Sequence, residues 1–467
     1  MAPDRPYALW GRGLDVTDIV HALCLNLHQP AGNLAALAGD HGADRSAEGA
    51  EILGCYQRIA DHVRKYAAVA RVHLAVSSAL LQQWRDPAVA RLWGDVADLS
   101  GLIAALRGTA AIELIGGGLS RPFFARIPPS DWDAQLAAER ALFADVLGRA
   151  PKGFRAAGDR VPPGLVAALA RAGYAYIILP VAALRTAADG VSVDGFRPHR
   201  LTEDGLSIAA IPIDEDLSRA QAHGLDVAWF ADEARMRVGG AEGLRLVTTW
   251  SDGENGAWFR GGEGNFFEKF FSPAMEFCET GEYPLRPALL SEILDRYGPL
   301  DEAVIAAGYG ETEPVPPRLT RMVDRLRGAA RSSSSKEERA AWDEARRALF
   351  AAEDGETIWP DGGDSWLDRA GRALDRLDGP SSSPVKPAEV KGAAPTKTAG
   401  ATVAPPVVAP PADVKMAAPV ETASAAPKPK GARPVKPAAD ATGKGTAKTG
   451  RRRPKAGRTK PRAPGRG

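Results

Sequence analysis

The chain has 467 residues, enough for two or three domains with a large core, and its three widely separated cysteines argue against a disulfide framework or a cysteine zinc site. The net charge of +1 averages two unlike parts: residues 380–467 carry 18 Lys/Arg and 4 Asp/Glu (+14), which leaves −13 for residues 1–379. No apolar run approaches the roughly 20 residues of a membrane helix, and residues 1–6 show no signal-peptide pattern, so we expect a cytoplasmic protein of enzyme size.

Short apolar runs alternate with amphipathic helical patterns over the first 280 residues. In chain order we predict strands at 19–27, 70–76, 110–115, 153–157, 174–179, 207–211 and 244–249, and helices at 51–66, from 78, at 131–147 and at 162–172. Such alternation predicts parallel strands joined by right-handed crossovers, and seven strands favour a barrel over an open sheet. The first strand runs into Asn26-Leu27-His28-Gln29-Pro30 instead of a glycine-rich phosphate loop, which argues against a nucleotide-binding Rossmann domain.

The pattern turns helical after residue 285, with helices predicted at 289–297, 317–330 and 336–352, the last preceded by a linker and N-cap at 332–335. Beyond residue 379 the chain is rich in Ala, Pro, Lys and Gly, which predicts disorder. The predicted fold class is therefore α/β: a distorted (β/α)7-type barrel catalytic domain over 1–284, a helical domain over 285–378 and a disordered basic tail over 379–467. That tail either solubilises the protein or contacts nucleic acid or another polyanion.

An acidic turn follows the last predicted strand of the barrel. Trp250-Ser251-Asp252-Gly253-Glu254-Asn255-Gly256 sets two carboxylates and an amide around a glycine turn. This layout delivers acidic side chains to the mouth of an α/β core, where catalytic groups sit, although a plain surface turn has the same composition. Trp250 and Trp258 offer flat apolar surfaces of the kind that stacks on sugar rings, or they serve ordinary packing.

Five segments carry a resemblance to a known family. They are His28-Gln29-Pro30, residues 72–84, residues 112–118, Asp252-Gly253-Glu254-Asn255 with the aromatic stretch 266–270, and residues 353–359. In this order and spacing, over roughly residues 18–375, they resemble glycoside hydrolase family 57. The resemblance implies a retaining double-displacement enzyme, a glycosidase or a glucanotransferase, that acts on α-glucans or maltooligosaccharides without a metal or an organic cofactor.

The resemblance assigns the acid/base role to Asp252 and the nucleophile position to Asp159. The family has a glutamate in a WLxER-like segment, whereas the matching stretch here is Ala156-Ala157-Gly158-Asp159-Arg160-Val161. Retaining enzymes hold their two carboxyl groups about 5–5.5 Å apart, and a misplacement of about 1 Å costs on the order of 100-fold. Asp159 is therefore either a relocated nucleophile or the mark of a catalytically weakened glucan-binding protein, whose tail recruits a polyanion. Its structural alternative is an N-cap or a salt-bridge partner for Arg160.

Three further residues are assigned to the substrate by the same resemblance, each with an alternative. His28 is expected to hydrogen-bond hydroxyl groups of the sugar at the reacting bond, or else to be a core histidine. Glu113 is expected to bind a sugar hydroxyl or to pair with Arg121. Glu254 is expected to contact the substrate or to support Asp252 from behind.

Overall fold

The structure, a computed structural model, describes residues 19–39, 43–240, 243–255, 257, 266–297, 300–329, 335–353 and 364–377. All of them belong to one unit that spans residues 1–388. Trp258, the resemblance segment beyond Glu353 and the tail 379–467 lie outside the described residues.

Strands and helices alternate along most of the chain. The strands are β1 (Ile19–Leu27), β2 (Val72–Val76), β3 (Ile112–Gly116), β4 (Gly153–Phe154), β5 (Tyr176–Pro180), β6 (Leu184–Thr186), β7 (His199–Glu203), β8 (Leu206–Ile213), β9 (Arg245–Asp252), β10 (Leu285–Pro287) and β11 (Glu302–Ile305). The helices are α1 (Asn33–Ala38), α2 (Ala43–Lys65), α3 (Ser78–Arg85), α4 (Pro87–Trp93), α5 (Leu99–Arg107), α6 (Pro129–Leu147), α7 (Leu165–Ala172), α8 (Glu215–Ala222), α9 (Val227–Val238), α10 (Ser272–Thr280), α11 (Leu290–Leu294), α12 (Pro317–Ala329), α13 (Lys336–Ala352) and α14 (Asp364–Asp375).

Seven parallel strands form a curled wall in the order β9-β1-β2-β3-β4-β5-β8. The two ends of this wall meet where the Asp214 N–H donates to the Thr248 carbonyl oxygen at 3.0 Å. β10 pairs with the amino end of β1, on the side where β2 pairs with its carboxyl end. β7, β11 and β6 extend the sheet beyond β8. The predicted α/β class with parallel strands in a barrel-like curl is thus confirmed.

The register of the strands decides which side chains reach the mouth of the barrel. Cys24 lies opposite Trp250, and Asn26 lies opposite Asp252. Side chains two residues apart on a strand point to the same face of the sheet. Asn26 and Asp252 therefore point to the same inward face as Cys24 and Trp250, but lie closer to the mouth. Apolar side chains on that face fill the rest of the interior, and α11 adds to them: Val20, Ala22, Cys24, Ile115, Ile178, Ile211, Leu246, Leu290 and Ile293.

Several elements were not predicted from the sequence, namely α1, α4, α5, α8, α9, α10, α14, β6, β7, β10 and β11. The β7–β8 pair is an antiparallel hairpin whose turn residues, Asp204 and Gly205, have φ of 52° and 73°. An Asp-Gly pair with positive φ at both positions is the mark of a tight hairpin, so this signal was present in the sequence. The helix predicted at 289–297 is only Leu290–Leu294. After Asp295 the N–H groups of Arg296 and Tyr297 both donate to the Ile293 carbonyl oxygen at 3.0 Å, so the helix ends in a turn.

Helices α12, α13 and α14 pack together through a cluster that also contains barrel residues: Leu319, Val323, Leu326, Ala345, Leu349, Leu367, Ala370, Phe154 and Leu165. The predicted N-cap of α13 is present, since Ser335 Oγ accepts the Glu338 N–H at 3.1 Å. The domain boundaries at 285 and 379 stay predictions. Within the described residues, no helix combines the length and apolar character needed to cross a membrane.

A buried polar cluster joins α13 to α6. Arg346 Nη1 lies 2.7 Å from both carboxylate oxygens of Asp131, and Gln135 Nε2 donates to Glu353 Oε2 at 2.5 Å. Glu353 Oε1 has no hydrogen-bond partner among the described residues. Burial first, and the negative charge of Asp131 second, raises the pKa of Glu353 well above its ordinary value. The neutral acid is therefore the form that this cluster favours.

A Glu353→Gln variant is expected to be more stable than the wild type at alkaline pH. Because the folded pKa of Glu353 lies above the unfolded one, its contribution to stability is complete below the ordinary value of 4.5. That contribution is lost as the pH rises through the folded pKa. Each unit of pKa difference corresponds to about 1.4 kcal/mol. Thermal unfolding from about pH 5 to about pH 9 should show the wild-type Tm falling relative to that of the variant. Two parallel curves would contradict the expectation.

Candidate active site

A cavity of about 160 Å³ opens at the carboxyl ends of the barrel strands. Its lining comes from the ends of β1, β2, β3 and β9, from the segment that follows β4, and from Arg121 and Glu139. The residues are Asn26, Ala75, Val76, Ser77, Ile115, Gly116, Gly117, Arg121, Glu139, Arg155, Ala156, Ala157, Gly158, Asp159 and Trp250. This end of a parallel barrel is where catalytic side chains from different strands converge.

Asp159 reaches the cavity from an unusual turn after β4. The ladder continues one residue past the strand, where the Arg155 N–H donates to the Gly116 carbonyl oxygen at 2.9 Å. Gly158 and Asp159 then take positive φ values of 65° and 55°. Aspartate is among the few residues other than glycine that tolerate this backbone, and strain of this kind concentrates at functional sites. The turn holds the Asp159 carboxylate at the cavity wall.

Arg155 is fixed between Asp159 and Trp250. Its Nε lies 3.0 Å from Asp159 Oδ1 and its Nη2 lies 3.3 Å from Asp159 Oδ2. The guanidinium carbon stands 4.2 Å from the centre of the Trp250 ring, a cation–π distance. Arg155 Nη1 is buried without a hydrogen-bond partner in the described part of the chain. The arginine therefore orients the Asp159 carboxylate, while its Nη1 stays enclosed by protein atoms.

Asp252 is the last residue of β9 and stands beside the cavity. Asn26 Nδ2 donates to Asp252 Oδ1 at 3.2 Å, and Asn26 itself lines the cavity. The Gly253 N–H donates to the Asn26 carbonyl oxygen at 2.8 Å, so the chain turns directly after the carboxylate. The end of β1 thus positions the acidic turn that follows β9.

Glu254 lies behind the mouth and does not line the cavity. It is 2% exposed, Gln29 Nε2 donates to its Oε1 at 3.2 Å, and the Tyr56 hydroxyl donates to the same oxygen. Burial first, and the charge of Glu254 second, raises the pKa of Tyr56 well above its ordinary value, so the phenol stays a donor. Of the two expectations for Glu254, the supporting one fits this geometry. His28, which directly precedes Gln29, is half-buried and is also absent from the cavity lining.

Removing the Tyr56 hydroxyl tests this support. Tyr56→Phe leaves a buried Glu254 oxygen with one donor fewer, which should cost about 1–3 kcal/mol of stability. We also expect a moderate loss of kcat, because the turn that carries Asp252 loosens. Tyr66→Phe is the matched control, since the Tyr66 hydroxyl donates to Glu276 at 2.9 Å away from the mouth. Equal kcat values in Tyr56→Phe and the control would contradict a supporting role for Glu254.

Glu139 is a cavity residue that the sequence reasoning missed. It is 1% exposed and accepts the Gly117 N–H at 2.9 Å and the Tyr174 hydroxyl at 2.6 Å. Burial raises the pKa of this carboxyl. A Cβ on Gly116 would lie 2.3 Å from Glu139 Oε2, so glycine is required there. The sequence indicates only that Glu139 is buried, because it lies four residues from both Gln135 and Phe143 on the buried face of α6.

Glu113 does not line this cavity, so its expected contact with the substrate has no support from this geometry and stays a prediction. It is the second residue of β3, so it lies near the amino end of the strand, whereas the mouth is at the carboxyl end. The Tyr176 hydroxyl donates to Glu113 Oε1 at 2.8 Å, and the Ser291 N–H donates to it at 3.1 Å. Lys152 Nζ lies 3.7 Å from Oε2. These contacts hold Glu113 at the amino ends of the strands, the floor of the barrel.

The structure therefore brings two of the predicted residues, Asp159 and Trp250, to the cavity and sets Asp252 beside it through Asn26. Arg155, Glu139 and Arg121 join them without having been predicted. In the described ranges, no group of three His, Cys, Asp or Glu side chains is arranged to hold a metal ion. The chemistry within reach of this cavity is that of carboxylates and guanidinium groups.

Comparison with known proteins gives one family. The sequence profile of glycosyl hydrolase family 57 matches residues 55–306, which is more than half of the chain. A sequence search among curated proteins found no significant match.

Three solved structures share the fold. The 4-alpha-glucanotransferase from Thermococcus litoralis has 17% identity and a TM-score of 0.54, with 78% of this chain and 60% of that chain covered. The alpha-amylase AmyC from Thermotoga maritima has 12% identity and a TM-score of 0.58, with 78% and 94% covered. A GH57-type branching enzyme from the archaeon Pyrococcus horikoshii has 12% identity and a TM-score of 0.56, with 77% and 88% covered. The chain thus spans only 60% of the length of the glucanotransferase.

Proposed function

The chain belongs to glycosyl hydrolase family 57, and on that premise we propose that it cleaves or transfers α-glucan chains by a retaining mechanism at the cavity in the barrel mouth. The observation that carries the proposal is the convergence of Asp159 and Trp250 on this cavity, with Asp252 hydrogen-bonded to Asn26 in its lining. Asp159 is the proposed nucleophile and Asp252 the proposed acid/base.

Two displacements account for the chemistry. In the first, an Asp159 oxygen bonds to the anomeric carbon while the glycosidic bond breaks and the Asp252 acid gives its proton to the leaving oxygen. In the second, the Asp252 carboxylate takes a proton from water or a sugar hydroxyl. That oxygen then bonds to the anomeric carbon, and the ester to Asp159 breaks. Water gives hydrolysis and a sugar hydroxyl gives transfer.

Arg155 supports the proposed role of Asp159. A guanidinium group that hydrogen-bonds both carboxylate oxygens orients the proposed nucleophile. Each carboxylate oxygen has a second lone-pair site, so the ion pair leaves a position from which to attack.

The activity is tested by incubating purified protein with maltooligosaccharides and with glycogen and following the products by chromatography. We expect shorter products from hydrolysis, or both longer and shorter products from transfer. Unchanged substrates after long incubation would overturn the proposal for these glucans.

A second candidate function, a catalytically weakened glucan-binding protein, is favoured by one observation. Asp159 is one methylene shorter than the family's glutamate, and both of its oxygens are engaged by Arg155. Such a protein would bind maltooligosaccharides without converting them. Calorimetric binding without product formation would support this candidate over the first.

Other expectations from the sequence stay proposals. The cytoplasm is the proposed location, and it accords with three cysteines that are all free. A contact between the basic tail and a polyanion rests on composition alone, since the tail lies outside the described residues.

A further inference from the structure

A groove at the other end of the barrel, opposite the mouth, has an unusual charge. It follows residues 108–112, where the chain passes from α5 into the amino end of β3. Two cavities, of about 590 Å³ and about 400 Å³, share Gly108, Thr109, Ala110 and Ile112 in their linings. The groove is therefore continuous along this loop and separate from the proposed catalytic cavity.

Most of the charged side chains that line the groove are basic. The five basic residues are Arg64, Arg71, Arg107, Arg149 and Lys152, and the two acidic residues are Glu113 and Glu292. Residues 1–379 carry a net charge of −13, the difference between the total of +1 and the +14 of the tail. A local excess of positive charge on an acidic body marks this groove as a place for an anion.

Arg149 is a half-buried cation with no carboxylate partner among the described residues. Its Nη1 donates to the Arg107 carbonyl oxygen at 3.0 Å, and its Nη2 donates to the carbonyl oxygens of Leu106 and Ile112 at 3.1 Å and 3.2 Å. Burial lowers the pKa of the Arg149 guanidinium. Carbonyl dipoles orient the group but leave its whole charge uncompensated, which is costly in a half-buried position.

Arg107 and Lys152 flank Arg149 from the surface. Arg107 is exposed in the last turn of α5, and its Nε passes so close to Gly148 that a Cβ there would lie 2.9 Å away. Lys152 donates to Ser291 Oγ at 3.1 Å and is 60% exposed, with Glu113 3.7 Å away. Both side chains keep donors for a ligand. Among the described residues that line this cavity of about 400 Å³, Glu113 is the one carboxylate beside three cations.

We propose that this groove binds a phosphate-bearing small molecule. Two guanidinium groups and one ammonium around a single cavity match the several oxygens and the two or more negative charges of a phosphate or a diphosphate. A singly charged carboxylate would leave part of the positive charge uncompensated. The site is independent of the proposed chemistry at the mouth, because it lies at the amino ends of β2, β3 and β4.

Calorimetric titration of the full-length protein with inorganic pyrophosphate at low ionic strength tests the site. The groove variant is Arg107→Gln/Lys152→Gln, which changes two exposed side chains and leaves Arg149 to hold α5. The matched control is Arg91→Gln/Lys336→Gln, which removes the same charge from exposed positions outside the groove. We expect wild type and control to bind alike and the groove variant to bind at least about tenfold more weakly.

Two results would overturn the proposal: no pyrophosphate binding to the wild type, or equal affinity of the two double variants. The second would assign the binding to the basic tail or to general charge. Competition with a hexose monophosphate and with a nucleoside diphosphate then separates the sources of the phosphate. Displacement by either one supports the site, and failure of both to displace pyrophosphate contradicts it. Glucan conversion is not part of this readout, so the site and the proposed function can fail separately.

Discussion

Replacing Asp252 with asparagine is expected to lower kcat on maltooligosaccharides by about 10²–10⁴-fold, the range of a general acid/base group. The amide cannot give a proton to the leaving oxygen or take one from the acceptor. The fold should be unaffected, because the amide oxygen can still accept from Asn26 Nδ2, as Asp252 Oδ1 does. Steady-state kinetics with thermal unfolding measures both effects.

A matched control separates this effect from the loss of a carboxylate in general. Asp226→Asn changes another carboxylate, one that caps α9 by accepting the N–H groups of Ala228 and Trp229. Asparagine is an equally good N-cap, so this variant should keep both stability and kcat. If Asp252→Asn keeps more than about a tenth of the activity, Asp252 is not the acid/base group.

Replacing Asp159 with asparagine should have the larger effect on rate, a loss of about 10³-fold or more, because the nucleophile itself is removed. Asparagine tolerates the positive φ of 55° at this position, so the turn should persist. The variant leaves the guanidinium of Arg155 without its carboxylate partner, which should cost about 1–3 kcal/mol of stability. Activity near that of the wild type would contradict the role of Asp159.

Asp159→Glu separates the two candidate functions. If Asp159 is a working nucleophile, the longer side chain overshoots the anomeric carbon and loses its fit to Arg155, so activity should fall. The left-handed backbone adds a cost of about 1–2 kcal/mol for a glutamate. If the site is a weakened one, the same variant should raise activity steeply. A gain in kcat would therefore favour the glucan-binding candidate.

The sequence was most informative about the order of strands and helices and about residues at the ends of strands. The strand–helix alternation predicted the parallel wall, because buried parallel strands read as short apolar runs between helices. Asp159 was assigned by the resemblance and Trp250 by its place after a predicted strand, and both line the cavity because the strand ends of a parallel barrel meet at one mouth. Glu113 was also assigned by the resemblance, but β3 begins at Ile112, so Glu113 lies near the amino end of the strand, away from the mouth.

Contacts that depend on three-dimensional geometry could not be predicted. The pairing of Arg155 with Asp159 needs the left-handed turn at Gly158, which no periodicity reveals. Glu139 is distant in sequence from every strand end and joins the cavity lining where its carboxylate accepts the Gly117 N–H directly after β3. The basic groove combines residues from four separate segments of the chain. The negative net charge of residues 1–379 gives no indication of it.

The bond between Asp159 and the sugar can be detected by mass spectrometry of a trapped intermediate. With an α-maltosyl fluoride, whose leaving group needs no proton, the Asp252→Asn variant can complete the first displacement but lacks the base for the second. We expect a maltosyl adduct on the peptide that contains Asp159. Consumption of the fluoride with no adduct on that peptide, or an adduct on another residue, would contradict it.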